Sequence, residues 1–218
     1  LLLEPTATNL ITYSEDFSDV AWGKIRATVT SNSVISPDGT LNATFLSEDS
    51  SNNSHIIIDY NTLSGTYTHS VFAKKGTRVN IGLFCDSSSS IAKFDLDNGV
   101  VLDSSVFDAE IKEYHNDWYR CMITTTQTTP VRIAILDNSA NLSYQGDGTS
   151  GLYIWGAQVE ANYATSLIKE DDLASFNLIG LSEVNFISES SPFYGKVKSV
   201  QVYTTALSDA ELTTLTTI

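Results

Sequence analysis

The stretch Trp118–Thr125 reads WYRCMITT and is the clearest indicator of the fold. Successive side chains of a β-strand point to opposite faces of its sheet. This period puts Trp118, Arg120 and Met122 on one face and the residues between them on the other. Because segments of similar character recur on both sides of this stretch, we predict an all-β chain.

Short strand-like runs extend from about residue 22 to residue 160, separated by clusters of Gly, Asn, Asp and Ser. Regular strands with turn signals between them are typical of a sandwich of two antiparallel sheets. The predicted strands are 24–31, 41–47, 55–60, 66–75, 78–85, 91–96, 100–102, 109–115, 118–125, 131–137 and 151–160.

Two short runs predict tight turns between these strands. In residues 36–39 (SPDG) the proline sets the first dihedral angle of a turn, and in 97–99 (DNG) Asn and Gly tolerate the positive φ of a hairpin. The run 95–99 (DLDNG) is also faintly similar to a calcium loop. Its glycine comes at the fifth place and no glutamate follows at the twelfth, so we predict the hairpin.

The composition limits the classes of partner. The chain has 218 residues, of which 42% are hydrophobic, and its 26 acidic and 12 basic residues give a formal charge of −14. Such a charge repels a phosphate backbone and an anionic membrane surface. Since no apolar run reaches the roughly 18 residues needed to span a bilayer, we expect neither nucleic acid binding nor membrane insertion.

No catalytic motif is present. The sequence lacks a Gly-x-Ser-x-Gly elbow, a His-Glu-x-x-His helix and a phosphate-binding glycine loop, and its three histidines are scattered. Cys85 and Cys121 lie in apolar contexts, which predicts buried free thiols. We therefore expect a protein that is not an enzyme.

The sequence changes character after residue 168. The acidic run 169–172 (KEDD) predicts a boundary between a first domain, 1–168, and a short second segment, 169–218. That segment contains strand-like runs and then a capping box formed by Ser208 and Glu211, which predicts a helix over 209–216. We expect this β-strand and helix appendage to pack on the first domain.

Several segments resemble one known family in the same order along the chain. They are 1–22 (LLLEPTATNLITYSEDFSDVAW), 65–76 (GTYTHSVFAKKG), 93–100 (KFDLDNGV), 116–121 (NDWYRC) and 151–166 (GLYIWGAQVEANYATS). They resemble a carbohydrate-binding-module-like jelly roll found in bacteriophage tail fibres, tailspikes and related bacterial surface proteins. The resemblance covers about 1–168 and implies an antiparallel β-sandwich of the jelly-roll type.

A second resemblance lies near the C-terminus. Residues 193–212 are similar to the last strand and C-terminal helix of a laminin-G or concanavalin-A-like lectin domain. Only about 50 residues follow the predicted boundary, far fewer than the roughly 150 to 200 of a whole sandwich. We expect a partial segment of such a domain.

The first resemblance implies non-catalytic binding of bacterial surface polysaccharide by an extracellular domain of a virion tail, with a homotrimer as part of a fibre. One alternative is a structural or oligomerisation domain without a glycan site. Another is an accessory binding domain of a polysaccharide-degrading enzyme, secreted or on a bacterial surface. No cofactor is required, but the family often carries a structural calcium ion, for which Glu15, Asp16, Asp147 and Glu160 offer oxygen ligands.

A sugar site combines a flat apolar surface with planar groups that hydrogen-bond to hydroxyls. Alternation along neighbouring predicted strands suggests one sheet that displays such groups together. The predicted carbohydrate-binding residues are Trp118, Arg120, Arg132, Arg78, Asn80, Phe72 and Tyr114. The alternative is that Trp118 caps the core and the arginines pair with carboxylates.

Other aromatic residues are assigned by their position along the strands. Tyr60 and Tyr144 join Tyr114 as loop aromatics that could contact a ligand, since sandwiches often bind at loop ends. Trp155, Gln158 and Tyr163 lie in or beside the last strand of the sandwich and are predicted to be scaffold residues, either buried or satisfied at the sheet edge.

Overall fold

The structure is a computed structural model that describes residues 7–60, 63, 65–85, 90–104, 107–126 and 130–168. In these residues the chain forms fourteen β-strands and no helix. The strands are β1 Trp22–Ile25, β2 Ala27–Val34, β3 Ala43–Glu48, β4 Asn52–Asn53, β5 His55–Asp59, β6 Tyr67–Lys74, β7 Asn80–Phe84, β8 Ala92–Asp95, β9 Val100–Asp103, β10 Asp108–Tyr114, β11 Trp118–Thr125, β12 Val131–Leu136, β13 Tyr144–Gln145 and β14 Gly151–Ala161.

Two six-stranded antiparallel sheets pack together as a β-sandwich, which confirms the predicted fold class. Sheet A has the order β1-β5-β12-β7-β8-β9, and sheet B has the order β10-β11-β6-β14-β3-β2. A small sheet of β13 and β4 completes the described part. Among the described residues, no helix is long and apolar enough to cross a membrane.

The predicted strand 24–31 is in fact two strands that belong to different sheets. Arg26 adopts a positive φ of 53° between β1 and β2, and this left-handed residue interrupts the pairing. The chain therefore passes from sheet A to sheet B at Arg26. The other predicted strands each correspond to one observed strand, and the two-residue strands β4 and β13 were not predicted.

The inner faces of the sheets form the main hydrophobic core. The alternation predicted for β11 is confirmed, because Cys121 and Ile123 lie in this core while Trp118 belongs to a separate cluster on the other face. Cys85 and Cys121 are free and buried, as predicted. Burying each large aliphatic side chain contributes on the order of 1.5–3 kcal/mol.

Both predicted turns are present. The N–H of Gly39 donates to the carbonyl of Ser36 at 3.0 Å, and Gly39 has a φ of +87°. In the hairpin between β8 and β9, the N–H of Gly99 donates to the carbonyl of Asp95 at 2.9 Å. Because Asp95 Oδ1 accepts from the N–H of Asp97, this loop is a hairpin turn closed by its own side chain.

The predicted second segment, 169–218, lies outside the described residues. This applies to its strands, to the helix predicted over 209–216 and to the region that resembles a laminin-G domain.

Candidate functional site

The structure brings four of the seven predicted site residues together on the outer face of sheet B. Phe72, Tyr114, Trp118 and Arg120 lie on the adjacent strands β6, β10 and β11. The ring of Tyr114 meets that of Phe72 edge to face, with centroids 5.2 Å apart. The Arg120 guanidinium lies 5.4 Å from the centre of the Phe72 ring.

The other three predicted residues lie elsewhere, so the prediction that one sheet displays Trp118 and Arg120 beside Arg132, Arg78 and Asn80 is wrong. Asn80 and Arg132 belong to β7 and β12 of sheet A, where Arg132 lies over the ring of Phe84 at 5.6 Å. Asn80 Nδ2 donates to the carbonyl of Asp137 at 2.9 Å. Alternation assigns a side chain to a face, but it does not say which sheet the strand joins.

Arg78 lies just before β7 and is bound to a buried carboxylate. Its Nε donates to Glu48 Oε2 at 2.8 Å, and its guanidinium lies 5.1 Å from the centre of the Tyr144 ring. Burial opposes ionisation of Glu48, but hydrogen bonds from Arg78 and Tyr144 outweigh it and lower the pKa of Glu48. The predicted pairing of arginines with carboxylates is confirmed here. Because the Tyr144 hydroxyl also donates to Glu48, the ion pair holds Arg78 next to Tyr144 of β13.

Trp118 is fully buried on the outer face of sheet B, with 0% of its surface exposed. It packs with Ala43, Phe72 and Trp155, and its Nε1 donates to the carbonyl of Ile35 at 3.2 Å. In this structure the indole therefore fills a second apolar cluster and presents no face for stacking on a sugar.

Residues 163–168, which we call the strap, cover Arg120 and its neighbours. Arg120 donates to the carbonyl of Thr165, and the N–H of Thr165 donates to Glu160 at 3.0 Å. The N–H of Ile168 donates to Gln158 Oε1 at 2.8 Å. Since Arg120, Gln158 and Glu160 are all buried, these groups hold the strap against the sheet. We call Phe72, Trp118, Arg120, Trp155, Gln158 and Glu160 the covered part of the face.

The remainder of the face is open along the edge strand β10. It forms a groove of about 250 Å³ between β10 and the first residues of the strap. The groove, which we call the β10 groove, is lined by Thr68, Asp108, Glu110, Lys112, Met122, Thr124, Tyr163 and Ala164.

The β10 groove combines an exposed ring with hydrogen-bonding groups. Tyr163 is 52% exposed. Glu110 Oε1 and Lys112 Nζ are 3.3 Å apart and are both exposed, so this surface ion pair adds little stability and remains accessible to a ligand. Thr68 and Thr124 share a hydrogen bond of 2.8 Å in the adjoining strands. The groove can thus stack on one ring and exchange hydrogen bonds with its substituents.

None of the seven predicted site residues lines this groove. Trp155 and Gln158 are buried, in agreement with their predicted scaffold role, whereas Tyr163 follows the end of β14 and is exposed. Asp108, Glu110 and Lys112 were not predicted. Alternation along β10 could have found them, since it places all three on the same face as Tyr114.

A larger depression of about 660 Å³ lies beside Asn80 in sheet A. Its lining includes Asp95, Asp97, Asp103 and Lys93 but no aromatic side chain. Asp95 closes the β8–β9 hairpin by accepting from two backbone N–H groups of the turn. Without a ring to stack on, this depression is a weaker candidate for a sugar site than the β10 groove.

Calcium binding stays a prediction. Among the described residues, no three His, Cys, Asp or Glu side chains lie close enough together to hold a metal ion. The four proposed ligands have protein partners: Glu15 accepts from Asn42, Asp16 from Ser18, Asp147 from Ser150, and Glu160 from Thr165.

No protein-family model and no curated protein matches the chain. Among solved structures, it is similar to the enzymatically active domain of tailspike protein 4 of bacteriophage CBA120, with 13% sequence identity and a TM-score of 0.39. The match covers 69% of this chain and 21% of that chain, so it spans about a fifth of that protein. The functional conclusion is therefore drawn from the site itself.

Proposed function

We propose that the chain is a non-catalytic carbohydrate-binding domain that recognises a bacterial surface polysaccharide through the β10 groove. The observation that carries this proposal is the exposed ring of Tyr163 beside Asp108, Glu110 and Lys112 in an open groove. The resemblance of residues 1–168 to the jelly rolls of phage tail fibres supports the same class of ligand and an extracellular position in a virion tail.

The chemistry of the groove suits a sugar ring and its hydroxyl groups. Tyr163 offers an apolar face to the C–H groups of a pyranose, and Asp108 and Glu110 can accept hydrogen bonds from its hydroxyls. Lys112 and Thr124 can donate to ring or hydroxyl oxygens. These roles require only side chains that already line the groove.

The charge of the groove selects among glycans. Asp108 and Glu110 line it together with a single lysine, and the whole chain carries a formal charge of −14. This field disfavours a polyanionic polysaccharide at low ionic strength. We therefore propose an uncharged or amino-sugar polysaccharide as the ligand.

The groove lacks the environment that glycoside hydrolysis requires. A catalytic acid must keep its proton near neutral pH, usually through an apolar pocket that raises its pKa. Asp108 and Glu110 are both exposed on an edge strand, and Glu110 lies beside Lys112. These surroundings support binding without catalysis.

A shallow groove of this kind binds one chain weakly, with a dissociation constant of about millimolar to micromolar. Repeated copies would raise the overall avidity by roughly 10²–10⁴. The homotrimeric fibre that the family resemblance implies would supply such copies, each with its own β10 groove.

A glycan array of bacterial surface polysaccharides tests this proposal on the whole chain. We expect a hit for the wild type, a signal at least about tenfold weaker for Tyr163→Ala, and an unchanged signal for Val100→Ala. Val100 is the matched control, since it is an exposed apolar residue on an edge strand of sheet A. A hit of equal strength in Tyr163→Ala would contradict the proposed site.

A structural role in a fibre is a second candidate function, favoured by one observation. Ile35 and Leu41 are 58% and 60% exposed on the loop between β2 and β3. Exposed apolar residues of this kind can be covered by a neighbouring copy. Analytical ultracentrifugation of the wild type and of Ile35→Ser with Leu41→Ser would show an oligomer that the double variant loses if this role applies.

A further inference from the structure

Residues near the start of the described chain line a further cavity, which the proposed function does not use. The cavity has a volume of about 330 Å³ and lies where these residues meet the end of β5. This cavity, the N-terminal pocket, is lined by Ile11, Thr12, Tyr13, Val20, Ala21, Trp22, Asp59 and Tyr60.

Tyr60 packs directly over Gly23, which has no side chain and leaves room for the tyrosine ring in the N-terminal pocket. A Cβ at Gly23 would lie 2.4 Å from the hydroxyl oxygen of Tyr60 and 2.6 Å from its Cε2. Both distances are too short for any residue other than glycine unless the tyrosine moves. The ring nevertheless stays 59% exposed, so it is fixed on one side and open to solvent on another.

The opposite wall of the N-terminal pocket is fixed by hydrogen bonds. Trp22 Nε1 donates to the carbonyl of Tyr13 at 2.8 Å, and Trp22 packs against Phe17 with ring centroids 4.9 Å apart. Lys24 Nζ donates to the carbonyls of Ser18 and Asp19 at 3.0 and 2.6 Å. A ligand would therefore lose little free energy in ordering these walls.

The acidic group that lines the pocket is the carboxylate of Asp59. Asp59 is only 8% exposed and ends β5, opposite Trp22 in the register of β1. A carboxylate accepts hydrogen bonds from hydroxyls and repels another anion. The two exposed tyrosines and this carboxylate thus favour a small ligand that is partly apolar, carries hydroxyls and has no negative charge.

We propose that the N-terminal pocket binds one uncharged sugar residue and is a second carbohydrate site, separate from the β10 groove. Tyr13 and Tyr60 stack on the ring, and Asp59 accepts from its hydroxyls. The volume is at the lower end of the roughly 300–1,000 Å³ of small-ligand sites, which suits a single ring. The site goes beyond the proposed function because it requires none of the residues of the β10 groove.

Fluorine NMR of the chain labelled with 3-fluorotyrosine tests this second site directly. The probes are the methyl glycosides of glucose, galactose, mannose and N-acetylglucosamine, at concentrations up to about 10 mM to match millimolar affinity. The variants Tyr13→Phe, Tyr60→Phe and Tyr163→Phe assign the three resonances. We expect at least one glycoside to shift the resonances of Tyr13 and Tyr60.

The variant Gly23→Ala should weaken this binding at least about tenfold, because it displaces the Tyr60 ring and leaves every side chain of the pocket in place. Tyr163→Ala should leave the binding unchanged. If Gly23→Ala does not fold, Tyr60→Ala provides the same test, since Tyr60 is largely exposed.

The proposal is overturned if no glycoside shifts the Tyr60 resonance of the wild type, or if the shift of the Tyr13 resonance persists undiminished in both Gly23→Ala and Tyr60→Ala. The results also distinguish a failure of this proposal from a failure of the proposed β10 groove. Glycan binding that is lost only in Tyr163→Ala would leave the β10 groove as the site and remove the N-terminal pocket. If glycosides shift the Tyr60 resonance and the array signal is the same for Tyr163→Ala as for the wild type, the N-terminal pocket is a site and the β10 groove is not.

Discussion

The covered part and the β10 groove share one face of sheet B but have opposite properties. Trp118 and Arg120 lie on β11 beneath Ile35 and the strap, and both are buried. Glu110 and Lys112 lie on the neighbouring strand β10 and are exposed. The difference comes from segments that cross the sheet and not from the strands themselves, so a residue's face within a sheet does not establish its function.

We predict that side chains of the covered part stabilise the fold, whereas removing those of the β10 groove changes the free energy of unfolding little. Arg120, Gln158 and Glu160 of the covered part are hydrogen-bonded to the strap, and losing one of them leaves its partners without compensation. The exposed groups of the groove can bind water when a ligand is absent. The following variants test this difference in order of decreasing effect.

Replacement of Trp118 by alanine should have the largest effect. Loss of a fully buried indole leaves a cavity and an unpaired carbonyl at Ile35, which should lower the free energy of unfolding by about 3–5 kcal/mol. Urea denaturation of wild type and variant measures the difference. A loss below about 1 kcal/mol would mean that the covered part is not packed as described.

His69 lies on the inner face of sheet B, where burial is the cause that shifts its pKa. Burial lowers the pKa of His69 from 6.5 to about 4, and no hydrogen-bond partner of its Nδ1 is found in the described part of the chain. The unfolded chain takes up this proton near pH 6.5, but the folded chain does so only near pH 4. Stability is therefore fully present above pH 6.5 and falls by about 3 kcal/mol as the pH drops to about 4.

Urea denaturation of the wild type and of His69→Gln at pH 7, 5.5 and 4 checks the effect of His69. The variant should lose less stability than the wild type between pH 7 and pH 4, because glutamine does not titrate. Parallel pH profiles for the two proteins would refute the assignment of this pH dependence to His69.

Replacement of Glu160 by alanine should loosen the strap. It removes the acceptor for the N–H and hydroxyl of Thr165, which should cost about 2 kcal/mol. Hydrogen exchange at the N–H groups of Thr165 and Ile168 should become faster. Glu110→Ala in the β10 groove is the matched control, and equal exchange rates in both variants would show that Glu160 does not hold the strap.

Replacement of Tyr163 by alanine should have the smallest effect on stability, within about 0.5 kcal/mol of the wild type, because more than half of its surface is already exposed. Thermal unfolding monitored by circular dichroism measures the change. A loss comparable with that of Trp118→Ala would place Tyr163 in the covered part and weaken the case for the groove.

The local features of this fold could be predicted from the sequence, but the pairing of the strands could not. Alternation along β11 predicted that Cys121 and Ile123 are in the core, and Asn-Gly chemistry predicted the hairpin at Gly99. Arg132 was assigned to the wrong sheet because strand partners are chosen by contacts between residues that are distant in sequence.

The candidate site was harder to predict than the fold for the same reason. The cover over Trp118 and Arg120 comes from Ile35, 83 residues before Trp118, and from Thr165, 45 residues after Arg120. The alternation of side chains along a strand carries no information about contacts between residues so distant in sequence. Tyr114 was identified as an aromatic residue near a loop, whereas Tyr163 follows the last strand, where the period no longer applies.

The most direct test of the account is a calorimetric titration of the glycan found on the array against two folded variants, Tyr163→Ala and Trp118→Phe. We expect Tyr163→Ala to lower the affinity at least about tenfold with little change in stability, and Trp118→Phe to lower stability and leave the affinity unchanged. The opposite pattern, with affinity lost in Trp118→Phe and retained in Tyr163→Ala, would contradict the account.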